Sequence, residues 1–264
     1  MTEEFRIFRP SPALSRYVHC YYSLRGPVGS TPQTIFPDGR MDVVIQLGDP
    51  FVRIHDDGRV EAQPRALLVG QMRGYVKIAP SGRVHSFGIR FRPGGSEALL
   101  RLPAGETANS ILPLGDVAGS FANALRDVLE SSPDPANAVD RYLATQLRGV
   151  REQPVVDSVL DVILQSAGTT PVHRLATHAG VSARHLERMF VARVGLGPKA
   201  FARIVRFQNV LRSPLPDWAA IAADCGYTDQ AHLIHEFREF TGQTPAEWRA
   251  SQVAFLQDLE TQPH

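Results

Sequence analysis

Short runs of alternating apolar and polar residues dominate the first hundred positions, as in VVIQL (43–47), FVRIH (51–55) and HSFGIRFRP (85–93), with the turn signals GDP, DDG and PSG between them. A period of two is the signature of a strand with one buried face. It places His85, Phe87, Ile89 and Phe91 together on one side of the last run. Beyond residue 95 the spacing changes. SEALLRL, AGSFANALRDVLE and ANAVDRYLATQLR repeat their apolar residues every third or fourth position, which predicts packed helices, with SSPDP as the turn between the last two. Phe121, Leu125 and Val128 with Val139, Tyr142 and Leu143 form an apolar series suited either to a core or to a dimer contact.

GVREQP (149–154) reads as a hinge, and Pro154 suits the first position of a further helix carrying Val155, Val159, Val162 and Ile163 on one face. The expected division is a β-rich half with trailing helices over 1–150 and an all-helical half over 151–264. Within the second half the chain repeats itself. Leu175, Ala176, Gly180, Val181, Ser182, His185, Leu186, Phe190, Gly195 and Pro198 return as Ile221, Ala222, Gly226, Tyr227, Thr228, His232, Leu233, Phe237, Gly242 and Pro245. The copies are offset by 46 residues up to Thr228 and by 47 from His232 onward.

Each copy predicts a short helix ended by a glycine free to take a left-handed turn, Gly180 or Gly226. Ser182 or Thr228 is then expected to cap a second helix, whose inward face is Leu186, Met189 and Phe190 in one copy and Leu233, Phe237 and Phe240 in the other. This is the grammar of tandem helix-turn-helix units, about 172–191 and 219–241. The intervening KAFARIVRFQNVLR predicts a rigid connecting helix, able to set two reading helices about 34 Å apart in successive major grooves. A helical protein-interaction array attached to a small-molecule-binding barrel would share the glycines and the apolar spacing. It would not account for the small and basic outward positions Ala183, Arg184, Glu187, Arg188 and Ala192.

Charge sharpens that contrast. The whole chain carries a net +1, yet residues 168–212 hold eight basic side chains against one acid, whereas residues 213–250 hold two against six. A polyanion would therefore be gripped by the first copy, leaving selectivity to the second. At 264 residues and 43% hydrophobic composition the chain can bury a substantial core. Its opening MTEEFRIFRP has glutamates where a secretory leader would be basic, and no apolar run approaches bilayer length, so a cytoplasmic protein is expected. Cys20 and Cys225 lack any metal-ligand spacing and read as reduced core residues.

Residues 168–250 closely resemble the DNA-binding domain of the AraC/XylS family of transcription regulators, through IAADCGYTDQAHLIHEFREFTGQTPAEWR above all. The resemblance implies base-reading positions at Arg184, Glu187 and Arg188 in the first copy and at Gln230, Ala231, Ile234 and His235 in the second. It implies double-stranded DNA and RNA polymerase as partners, and an activator rather than a repressor. FPDGRMDVVIQLGDP, GQMRGYVKIAPSG and FGIRFRPGG more loosely resemble the sensor half of a subgroup of that family. An α+β protein is thus expected, with an N-terminal cupin-like β-barrel followed by helices and serving a small-molecule effector or a homodimer.

Other chemistries find little support. His19, His55 and His85 are scattered, no nucleophile or phosphate-binding motif stands out, and Asp56-Asp57-Gly58 reads as a hairpin turn, so neither enzyme nor cofactor is expected. His232 and His235 stand one turn apart without a convincing third ligand, and no metal site is assigned. The face of His85, Phe87, Ile89 and Phe91 is the candidate effector pocket, with barrel core as its plainer reading. Arg40 and Arg90 either pair with an anionic ligand or face water.

Overall fold

The computed structural model describes residues 4–26, 32–150, 152–215 and 217–250. Among the described residues nine strands precede the first helix, β1 (Glu4–Phe8), β2 (Val18–Gly26), β3 (Gln33–Ile35), β4 (Asp42–Gln46), β5 (Phe51–Ile54), β6 (Val60–Ala62), β7 (Ala66–Val69), β8 (Val76–Pro80) and β9 (Val84–Phe91), and a tenth, β10 (Ile111–Pro113), follows it. They form a six-stranded sheet in the order β1-β2-β9-β4-β7-β10 and a four-stranded sheet in the order β3-β8-β5-β6. The strands of the expected cupin-like barrel form two sheets facing each other, with no ladder among the described residues joining them. The chain passes between sheets through covalent corners. At one of these Leu47 and Gly48 donate to the His85 carbonyl, and the Asp49 carboxylate accepts from the Arg83 amide.

Alternation along β9 decides what each side of the large sheet does. Phe87, Ile89 and Phe91 are buried with Phe121 and Leu125 of α2 (Leu114–Ser131) and Val139 and Leu143 of α3 (Pro135–Gln146), so this apolar series is core. Ser86 and Arg90 point to the opposite side, toward the second sheet. Gly88 lies between them because the Tyr22 ring crosses it: a Cβ there would stand 2.0 Å from Tyr22 Cζ.

Between β9 and α2 lie α1 (Gly95–Leu100) and a single 3-10 turn, Ala104–Thr107. The C-terminal half is helical: α4 (Pro154–Gln165), α5 (Val172–His178), α6 (Ala183–Val194), α7 (Pro198–Arg212), α8 (Trp218–Asp224), α9 (Gln230–Thr241) and α10 (Pro245–Ala250). Its core gathers Val159, Ile163, Leu186, Phe190, Phe201, Phe207, Leu233 and Phe237 around α7. Phe36 of the strand-rich half joins this second core, edge-on to Phe207 at 6.1 Å.

Candidate nucleic-acid interface

Both turns close in the same way. Val181 N–H donates to Ala176 O at 3.1 Å and Gly180 N–H to Thr177 O at 3.1 Å; Tyr227 donates to Ala222 O at 2.8 Å and Gly226 to Ala223 O at 3.3 Å. Gly180 (φ 66°) and Gly226 (φ 73°) supply the left-handed residue that this helix ending requires. Ser182 caps α6 by accepting from the His185 amide at 3.2 Å. In the second copy the cap is Asp229, accepting from the His232 amide at 2.7 Å, and not Thr228. The physical reason is the extra residue in that turn. It puts Thr228 one place too early, where its amide lies 3.4 Å from His232 Nδ1.

Arg184, Glu187 and Arg188 are exposed on the outward side of α6, with Arg188 Nη2 2.9 Å from His185 Nδ1. The Glu187 carboxylate lies against Gly197, at the start of α7, where a Cβ would come within 2.0 Å of its Oε1. On α9, Gln230, Ala231 and His235 are exposed, whereas Ile234 is half-buried against the helical core. His232 turns inward: its ring stands edge-on to Tyr227 at 5.2 Å, and its Nε2 lies 3.6 Å from Glu236.

Electrostatics depart from simple charge counting. Glu236, which the charge count set among the acids of the second copy, is 4% exposed and bound by Arg203 Nε at 2.6 Å, with Arg206 at 3.6 Å. Arg203 also pairs with Glu239. Arg193 is 3% exposed, with Nη1 2.7 Å from Glu97 and Nη2 3.5 Å from Asp157. Arg193, Arg203 and Arg206 are therefore committed within the protein. Arg174, Arg184, Arg188 and Lys199 remain exposed to solvent, Arg184 and Arg188 along a groove shared with the strand-rich half.

The strand-rich half meets the helical half at places that sequence reasoning missed. Gln208 Nε2 donates to Pro37 O at 2.8 Å. Gly39 (φ 76°) leaves space for Phe201, whose Cε2 would stand 2.8 Å from any Cβ. The turn signal in FPDGRM was the available hint. The 3-10 turn lies on α6: Pro103, Gly105 and Glu106 share a groove with Arg184, Glu187, Arg188, Val191 and Ala192.

The proposed effector residues divide. His85 and Phe87 border an open groove with Pro133–Ala136, and burial together with Arg25 lowers the His85 pKa below its ordinary value. Ile89 and Phe91 are fully buried under the helices. A cavity of about 140 Å³ lies instead between the sheets, walled by Tyr22, Leu24, Phe36, Val44, Val76 and Arg90. Arg90 faces neither water nor a free anion: its Nε and Nη2 each lie 3.2 Å from Asp42, and Nη2 lies 3.0 Å from Asp38. Burial raises the Asp42 pKa, whereas for Asp38 the pull of Arg90 and Arg40 outweighs burial and lowers it.

Residues 175–251 match the family described as "Helix-turn-helix domain", and residues 6–113 match a domain of unknown function, DUF6597. An uncharacterized HTH-type transcriptional regulator of Haemophilus influenzae is 24% identical over 120 residues, which are 44% of this chain and 40% of that protein. The chain thus spans less than half of that relative's length. Among solved structures, ToxT from Vibrio cholerae is 9% identical with a TM-score of 0.45, over 96% of this chain and 100% of that one. The AraC-like transcriptional activator CuxR is 15% identical with a TM-score of 0.33, over 80% and 81%.

Proposed function

We propose that the chain, whose residues 175–251 match a helix-turn-helix family, is an AraC-type, sequence-specific DNA-binding transcription regulator with unlike roles for its two units. The first unit holds the duplex through Arg184 and Arg188, whose planar donor pairs suit guanine edges or phosphate oxygens. The second selects sequence through Gln230, which can bond adenine bidentately, and His235. The supporting observation is the pair of turns closed by the same backbone hydrogen bonds, each followed by a capped helix with these side chains exposed.

The test uses duplexes enriched from a random pool by the full chain, beside unrelated duplexes. Arg188→Ala is expected to weaken binding to both and to reduce the salt slope by about one. Gln230→Ala should cost about 1–3 kcal/mol on the selected duplex only. Equal losses on both duplexes for Gln230→Ala would refute the division of labour.

For the strand-rich half we propose effector control through the cavity between the sheets. Its wall is mainly apolar and Arg90 is already neutralised, so a small, largely apolar molecule fits better than an anion. Occupancy would shift the population of the DNA-competent state. The family resemblance supports activation by contact with RNA polymerase as part of this proposal, and a promoter fusion in cells with and without the chain measures its sign.

A further inference from the structure

We infer that the structure holds the first reading helix occluded: the turn Ala104–Thr107 and a DNA duplex compete for the same side of α6, so this unit reads DNA only after the strand-rich half has moved away. The inference rests on the DNA-binding reading above.

The overlap follows from helical geometry. Leu186, Phe190 and Val194 set the buried side of α6, and Arg184, Arg188, Val191 and Ala192 lie on the other. Those four residues, with Glu187, form one wall of the groove whose second wall is Pro103, Gly105 and Glu106. An α-helix with its side chains is about 10–12 Å across and the major groove about 12 Å wide, so no further segment fits beside the helix. Glu106 is exposed on the turn. It thus brings negative charge to the groove that Arg184 and Arg188 line, where a duplex would bring phosphate.

The contact is also built as a clasp. Where the second copy has Phe240 in its core, the first has Arg193, equally buried, and its closest carboxylate is Glu97 of α1 in the other half. Glycines allow the close approach: a Cβ at Gly105 would stand 2.9 Å from Val191 Cγ1, and one at Gly94 3.1 Å from Arg193 Cγ. These α6 contacts, made of charge and glycine, release at less cost than the apolar seat of Phe36 beside Phe207, which can stay closed as a pivot, because both α6-side surfaces are solvated on opening. On α9 the strand-rich half approaches the far end, Gly74 against Glu239 and Tyr75 against Gly242, away from Gln230 and His235.

The experiment locks the clasp in the full chain. Gly105→Cys with Val191→Cys is the pair for a disulfide, because a Cβ at Gly105 would stand 2.9 Å from Val191 Cγ1, the position a cysteine sulfur can take. Cys20 and Cys225 are buried, and the two single-cysteine variants control for their reactivity. The probe is a duplex enriched by the wild-type chain, with binding measured before and after reduction and the thermal melt as the fold control. Oxidation is expected to weaken binding at least about tenfold and reduction to restore it. Gly105→Trp, a wedge against Val191, should strengthen binding several-fold. Equal affinity of the oxidised and reduced pair, with intact disulfide and melt, overturns the inference and leaves the DNA-binding reading standing. Absence of binding by every form, the wedge included, overturns both.

Discussion

Aligned on their capped helices, the two units differ where Met189 faces Glu236 and where Arg193 faces Phe240. The backbone task is the same in each, and left-handed glycines begin and end it at Gly180 and Gly195, Gly226 and Gly242. The side-chain task differs. In the second unit the charge is internal: Glu236 ties α9 to α7 through Arg203 and Arg206, while Phe240 packs on Phe207 at 4.9 Å. In the first the core is apolar at Met189, and the buried charge at Arg193 reaches out to the strand-rich half. One unit is thereby fastened to the connecting helix and the other to the neighbouring half. A duplicated fold can preserve its turns while its buried charges take on different partners.

The largest effect is expected where the strand-rich half meets the aromatic cluster beside the second unit. Phe36→Ala should cost about 3–4 kcal/mol, because Phe36 is 3% exposed and packs edge-on to Phe207. Its signature is a loss of stability read by the fluorescence of Trp218 and Trp248, which both lie in the other half and pack on Phe237. An unchanged tryptophan melt would mean that the two cores are energetically separate.

Next comes the position at which the units differ. Glu236→Ala leaves Arg206 and the Nε of Arg203 without their carboxylate in a partly buried site, Arg203 keeping Glu239, and is expected to cost about 3 kcal/mol. Met189→Ala at the equivalent place should cost roughly 1–2 kcal/mol, since Met189 is only partly buried. Urea unfolding of both variants compares them directly, and a reversed order would remove the distinction drawn between the units.

The smallest effects concern the caps. Ser182→Ala and Asp229→Ala should each cost about 1 kcal/mol. Thr228→Ala should stay within about 0.5 kcal/mol, as expected of an exposed turn residue without a capping bond. A larger loss for Thr228→Ala than for Asp229→Ala in the same urea series would restore the threonine as the cap.

Much of this was legible in the residues. Glycine turns, the prolines opening α4, α7 and α10, and the apolar spacing are local properties, set by which φ and ψ a residue tolerates and which side of a helix it occupies. The capping residue was misplaced because one inserted position changes the register of a turn without changing its composition. The effector face was drawn on Phe87, Ile89 and Phe91 because alternation shows that a strand has two sides and not which one meets a helix.

The order of helices and turns, the duplication and, apart from the half-buried Ile234, the exposed positions of α6 and α9 were determined by the sequence alone, since each depends on near neighbours along the chain. Tertiary structure decided which charges are free, which side of β9 meets the cavity, and that Phe36 and Glu97 belong to the surroundings of helices more than ninety residues away. The physical reason is distance in sequence: burial and pairing depend on what is brought alongside. An arginine counted in the basic excess of the first unit, Arg193, becomes a clasp once a carboxylate from the other half lies 2.7 Å from it.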